Sequence, residues 1–142
     1  IQIHGNLNEE KSIVFGYGDE VDSNYDDIEN LNNNEFFKHI KSFNYLKDSK
    51  YIEMARLVES KEPFEVYVFG HSLGLSDRTL LNFIFESKNM LSLKFYYYKR
   101  PDETTDFIEK SFEVSRHFKN KATMRLKIVP EDQCEALPQL KV

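Results

Sequence analysis

The feature that most constrains this chain lies between residues 64 and 130, where short runs suited to buried strands alternate with segments of helical period. Phe64-Glu65-Val66-Tyr67-Val68-Phe69 is rich in aromatic and β-branched residues and is closed by Gly70, so it reads as a strand. Ser76 and Asp77 then offer N-cap chemistry to a helix carrying Leu80, Leu81, Ile84 and Phe85. Leu91 to Tyr98 reads as a second strand. Pro101 and Asp102 open a second helix with Phe107, Ile108, Phe112, Val114 and Phe118 on its inner side. Thr123 to Val129 reads as a third strand, ended by Pro130. Strands joined through helices need crossover connections and therefore a parallel sheet. The expected fold is α/β: a three-layer, mostly parallel sheet in which residues 64–130 supply a β-α-β-α-β unit, half of a Rossmann-type doubly wound sheet.

The remainder is less regular. Residues 1–30 are polar and glycine-punctuated; Ile1 to Ile3 and Ser12 to Phe15 are candidate short strands, the second stopped by Gly16-Tyr17-Gly18. Asn32-Asn33-Asn34 reads as a loop feeding a helix N-terminus. In residues 33–61, Phe36, Ile40 and Phe43 share a helical face, with Phe37 beside them. Tyr51, Ala55 and Val58 repeat that spacing after a break near Asp48. These form a helical insertion of two helices, or one interrupted helix, ahead of Pro63; residues 131–142 are a polar tail. With 142 residues, twelve Phe and eight Tyr, the whole reads as a single α/β domain with ample aromatic surface for a core.

Composition excludes several functions. The net charge of −5 argues against binding a nucleic-acid backbone as the main activity, because that needs a basic surface. No stretch has the ~18 apolar residues of a membrane helix. One cysteine, Cys134, leaves no internal disulfide framework and suits a reducing cytoplasm; with no histidine or cation near it in sequence, it is a poor catalytic thiol. No His and Cys residues have zinc spacing. Asp19, Glu20, Asp22, Asp26, Asp27 and Glu29 lack the register of a calcium loop and read as a solvated face. Tyr96-Tyr97-Tyr98-Lys99-Arg100 reads as a strand end with rings packed under helices rather than as a base-stacking platform. His39 and His117 sit on helical segments and read as structural.

The chemistry concentrates in Gly70-His71-Ser72-Leu73-Gly74-Leu75-Ser76-Asp77, at the C-terminal end of the first strand of the unit. Ligands of open α/β sheets collect at that end, where loops diverge and helix N-termini present N–H groups. Two readings stand. As a nucleophile elbow, Gly-His-Ser-Leu-Gly would make Ser72 the nucleophile of a serine hydrolase, with Asp102 as acid and His117, the one histidine after Ser72, as base. However, His117 falls at a helix end, and an elbow of this kind needs core strands before it. As a ligand-binding turn, Gly70 would let the backbone approach a ligand, Ser72 would offer its hydroxyl, and the N–H groups near Ser76 and Asp77 would cap the helix or bind an anion. Asp77 also suits a plainer role, an acid complementing the helix dipole.

Four segments together carry a family resemblance: Ile3-His4-Gly5; Phe15-Gly16-Tyr17-Gly18-Asp19-Glu20; Lys41-Ser42-Phe43-Asn44-Tyr45-Leu46; and Val68 to Asp77. Taken together they resemble the bacteriophage abortive-infection AbiH family, from about His4 to Pro130. The resemblance implies a role in phage defence. A more distant resemblance is to sirtuin-like domains of prokaryotic defence systems. It implies that His4-Gly5 corresponds to a central His-Gly with His4 as catalytic base, and that Gly70, His71 and Ser72 touch the ribose and phosphates of a nucleotide, with Asp77 beside them. NAD would be the ligand and its hydrolysis the reaction. The glycine-rich turn that precedes the His-Gly in such domains has no counterpart here, so the chain is expected to be the C-terminal part of a longer protein with half of the nucleotide site. A non-catalytic interaction module is the remaining alternative; the face left open by the missing half-sheet would then suit a second copy, giving a homodimer.

Overall fold

The sheet is built from two parallel strands, β1 (Phe64–Val68) and β2 (Met90–Phe95), paired Val66 to Leu93, Tyr67 to Lys94 and Val68 to Phe95. The computed structural model describes residues 1–17, 20, 21 and 23–139, apart from the Lys11 side chain; Gly18, Asp19 and Asp22 of the segments above lie outside the described residues. Alternation along β1 turns Val66 and Val68 inward and Glu65 and Tyr67 outward. The crossover between the strands is α4 (Arg78–Phe85). Before β1 come α1 (Tyr25–Asn30), α2 (Lys41–Asn44) and α3 (Lys50–Val58); after β2 come α5 (Phe107–Ser115) and α6 (Lys121–Lys127).

Two cores meet at α4. One contains Val68, Leu81, Phe85, Leu93, Phe95, Phe107, Val114 and Phe118, tied by ring stacking of Phe85 on Phe118 at 5.6 Å and of Phe95 on Phe107 at 4.6 Å. The other joins Tyr45, Met54 and Val58 to Leu80, with Ile3, Val14 and Tyr51 against it. Because α4 buries residues on both sides, Leu80, Leu81, Phe83, Ile84 and Phe85 form a nearly continuous apolar run rather than a single stripe.

The third strand is a correction. Residues Lys121–Lys127 are α6, whose N-cap Asn120 accepts hydrogen bonds from the N–H groups of Ala122 (2.9 Å) and Thr123 (3.1 Å). Lys, Ala, Met, Arg and Leu are strong helix formers, and with that cap they outweigh the alternation of Thr123 to Val129. Among the described residues, the sheet continues beside β2 only as isolated parallel bridges, Leu93 to Ile128 and Tyr97 to Ala136, on either side of a short 3-10 turn at Glu131–Gln133. The expected third layer is also absent among the described residues. Helices cover the Val66, Val68, Leu93 and Phe95 face, while Tyr67 on the opposite face is 59% exposed. The architecture is therefore mixed α/β with a two-stranded parallel sheet.

Boundaries shift elsewhere. The second helix starts at Phe107 rather than Pro101, because residues 99–106 form a tight hairpin: Asp102 Oδ1 accepts from the Thr104 hydroxyl at 2.7 Å, and the Arg100 N–H donates to the Thr104 carbonyl at 2.8 Å. On α5 the buried row is Phe107, Val114 and, past its end, Phe118; Ile108 and Phe112 lie one position over and are more than half exposed. The insertion is a broken series, with 3-10 turns at Phe36–His39 and Tyr45–Lys47 flanking α2. Its buried residues are Ile40, Asn44, Tyr45, Met54 and Val58, whereas Phe36 and Phe43 are exposed. Ile1 to Ile3 and Ser12 to Phe15 are not strands; the second is held to the chain just after the first, by bonds from the Val14 N–H to the His4 carbonyl (3.1 Å) and from the Asn6 N–H to the Ser12 hydroxyl (3.0 Å).

Phe85 is fully buried, so Phe85→Ala is expected to lower unfolding stability by about 3–5 kcal/mol in urea titrations. Asn120→Ala, which leaves α6 uncapped, is expected to lower it by about 1 kcal/mol.

Candidate functional site

β1 delivers the chain to a turn over residues 69–74, and a 3-10 turn at Leu75–Asp77 leads into α4. Gly70 takes φ +71°, and a Cβ there would meet no atom within 4 Å, so the backbone conformation alone favours glycine and the space above it is open. Leu73 also has positive φ, at +60°, although its side chain is 1% exposed and anchored in the core. Both of its peptide groups are fastened. Its N–H donates to His71 Nδ1 (2.9 Å), and its carbonyl accepts from His117 Nε2 (2.8 Å).

Asp77 occupies the N-cap position of α4, yet its side chain makes no capping hydrogen bond. The carboxylate is instead buried and receives three donors from distant parts of the chain. Lys41, the first residue of α2, contacts Oδ1; His4 Nε2 lies 3.2 Å from Oδ1; His71 Nε2 lies 3.2 Å from Oδ2. Burial pushes the Asp77 carboxyl upward, but the hydrogen bonds from His4, His71 and Lys41, together with the Lys41 charge, hold it far below the usual carboxylate range. Asp77 and Lys41 thus form a buried ion pair, with side chains 8% and 11% exposed.

The two histidines are held differently. His71 uses both nitrogens: Nδ1 accepts from Leu73, which leaves the proton on Nε2 for Asp77. His4 presents Nε2 to the carboxylate, and the Tyr45 hydroxyl lies 3.2 Å from the same nitrogen with its ring stacked at 6.2 Å. Burial, followed by the Asp77 charge, raises the Tyr45 hydroxyl, so the phenol stays protonated. Facing a carboxylate, His4 carries its proton on Nε2. Its Nδ1 makes no hydrogen bond among the described residues, and the side chain is 36% exposed. A carboxylate-oriented imidazole with one open nitrogen is the arrangement of a general base. Gly5 fixes the ring's backbone: it has φ +87°, and a Cβ there would lie 2.1 Å from the Ser12 carbonyl oxygen.

Of the residues singled out in the sequence, His4, His71 and Asp77 converge, and Gly70 shapes the turn beside them. Ser72 is exposed on that turn. The acid and the base of the hydrolase ordering have other partners: Asp102 caps Thr104, and buried His117 bonds the Leu73 carbonyl. Burial, the largest effect on it, pushes His117 below the ordinary histidine range and keeps it neutral. Lys41 and Tyr45 were not anticipated as site residues, although both belong to the Lys41 to Leu46 segment that carries the family resemblance. The described residues contain no group of three or more His, Cys, Asp or Glu arranged for a metal ion. A hollow of about 630 Å³ near Asn82, Phe83 and Asn89 lies towards the other end of α4 and contains no histidine.

Asp77 titrates lower in the folded than in the unfolded chain, so its contribution to stability is complete above the unfolded value of about 4 and is lost as pH falls below it. Urea unfolding measured between acidic and neutral pH should show that loss in the wild type and a smaller one in Asp77→Asn. At neutral pH, Asp77→Asn should cost about 3–5 kcal/mol, because Lys41 is left buried without its counter-charge.

No curated protein and no solved structure matches the chain. The family model described as bacteriophage abortive infection AbiH matches residues 1–99, a stretch that contains His4, Lys41, Tyr45, His71 and Asp77. The chain therefore belongs to the bacteriophage abortive-infection AbiH family, and that membership implies a function in abortive phage infection.

Proposed function

We propose that this protein acts in abortive infection by cleaving a nucleotide, NAD, at the C-terminal end of β1, with His4 as the general base. The observation that carries the reading is the asymmetry around Asp77: the carboxylate fixes the Nε2–H of His4 and leaves Nδ1 free to take a proton. In the reaction a water oxygen attacks C1′ of the nicotinamide ribose while the C1′–N bond breaks. The bonding electron pair passes to the pyridinium nitrogen, neutral nicotinamide leaves, and the water's proton goes to His4 Nδ1. The open space over Gly70 and the exposed Ser72 hydroxyl suit the ribose and phosphates, which need close backbone approach and hydroxyl contacts. His71, with both nitrogens occupied, orients the carboxylate and the turn. In the same proposal, further parallel strands added to the sheet would complete a Rossmann- or sirtuin-like fold, the nucleotide would be bound by the intact protein, and the protein would act in the cytoplasm.

Incubation of the intact protein with NAD should release nicotinamide and ADP-ribose, resolved by chromatography. His4→Ala should slow that release by about 10²–10⁴-fold, the usual contribution of a positioned base. Bacteria carrying His4→Ala should lose protection in plaque assays. Protection without any fall in cellular NAD, and no turnover by protein isolated from infected cells, would overturn the reading. Fluorophosphonate labelling of Ser72 would point to the serine-hydrolase chemistry instead; no labelling is expected, because His71 and His117 are both committed to Leu73.

A further inference from the structure

A series of hydrogen bonds runs from the end of α5 to His4. His117 Nε2 donates to the Leu73 carbonyl at 2.8 Å, and the Leu73 N–H donates to His71 Nδ1 at 2.9 Å. His71 Nε2 then reaches Asp77 Oδ2 at 3.2 Å, and Asp77 Oδ1 faces His4 Nε2 at 3.2 Å. His117 lies outside the residues matched by the family model, whereas every other member of the series lies inside them.

Packing alone does not account for histidine at this position. The residue is fully buried, its ring meets Phe85 edge-on at 6.0 Å, and its Nδ1 is buried with no hydrogen-bond partner. An apolar ring would fill the space without burying an unpaired nitrogen. What histidine adds is an N–H aimed at the carbonyl of Leu73, a residue held at φ +60°, where leucine rarely sits. If Leu73 relaxed from that conformation, the N–H on its other peptide group, which sets the His71 tautomer, would turn with the change in φ.

We propose that His117 is a positioning residue of the AbiH site: by holding the Leu73 carbonyl it keeps Leu73 in its left-handed conformation, and so fixes the tautomer and direction of His71 and, through His71, the direction of the Asp77 carboxylate toward His4. Its consequence for turnover rests on the proposed NAD cleavage; its consequence for His71 does not.

The test compares His117→Phe, which keeps an aromatic ring but removes the donor, with His117→Gln, whose side-chain amide can still donate to Leu73. Nitrogen-15 NMR of the imidazoles and amide hydrogen exchange are read in each. In the wild type, His71 should show a single tautomer with Nδ1 unprotonated, and a coupling through the hydrogen bond should link the Leu73 amide nitrogen to His71 Nδ1. His117→Phe should give mixed His71 tautomers and at least about tenfold faster exchange at Leu73, while His117→Gln should resemble the wild type. NAD cleavage should follow the same order, with kcat in His117→Phe down by about 100-fold, the size of loss expected from misplaced catalytic groups, and KM little changed. Unchanged His71 signals in folded His117→Phe would overturn the proposal, as would His117→Gln behaving like His117→Phe. Should His117→Phe not fold, the wild-type coupling and the Gln variant decide: a missing coupling or a disordered His71 in Gln overturns it, and their presence supports it. If the wild type shows the coupling but cleaves no NAD, the proposed reaction fails and the positioning role stands.

Discussion

One buried carboxylate organises this protein. Asp77 sits at the start of the helix shared by the two cores, and a charge in that place is tolerable only if donors surround it. Those donors come from the first residues of the chain, from the broken helical insertion and from the turn after β1. Among the described residues, the part of the chain before β1 has only short helices, 3-10 turns and isolated bridges, so its position relative to α4 depends on the second core, on hydrogen bonds from Asn89 to the Val58 and Ser60 carbonyls and on this polar convergence. The site is therefore also one of the attachments of the N-terminal segment.

Sharing one carboxylate among three donors also separates their roles. Lys41 balances the charge, and both histidines present Nε2 to the carboxylate. His71 then has no nitrogen left, because Leu73 occupies the other one. His4 keeps one free, at the exposed side of the cluster. The difference between the two imidazoles is set by the backbone: a left-handed Leu73 supplies an N–H to one ring, and Gly5 lets the other approach without offering it a second partner. Tyr45 closes the remaining side of His4 with a ring and a protonated hydroxyl.

Much of the unit from β1 to β2 is legible in the sequence, because strand composition, a closing glycine and a cap-rich turn all point the same way there. Thr123 to Val129 alternates in polarity as a strand would, but the Asn120 cap and a run of helix formers prevail there. On α5, Ile108 and Phe112 are apolar yet exposed, so composition alone could not separate the buried row from its neighbour. In the site, His4, His71 and Asp77 could be named from their motifs. Lys41 could not, since a lysine opening a short helix has no local signature of a buried ion pair. Asp77 could be placed at a helix start, but the plain reading of it as a dipole-complementing acid gives no hint that its side chain turns inward.

The extent of the family match adds a physical constraint. The matched residues contain the whole polar cluster, yet the core beneath β1 and β2 is completed by Phe107, Val114, Phe118 and Cys134 from beyond residue 99. Phe95 stacks on Phe107 and Phe85 on Phe118, so without that region the inner face of the sheet and one side of α4 would lie open. The carbonyl of Leu73 would also lose its donor. The matched segment and the C-terminal region thus share one core. Sequence change in the second can alter the geometry of the first without touching any residue of the cluster, because packing and the Leu73 peptide join them.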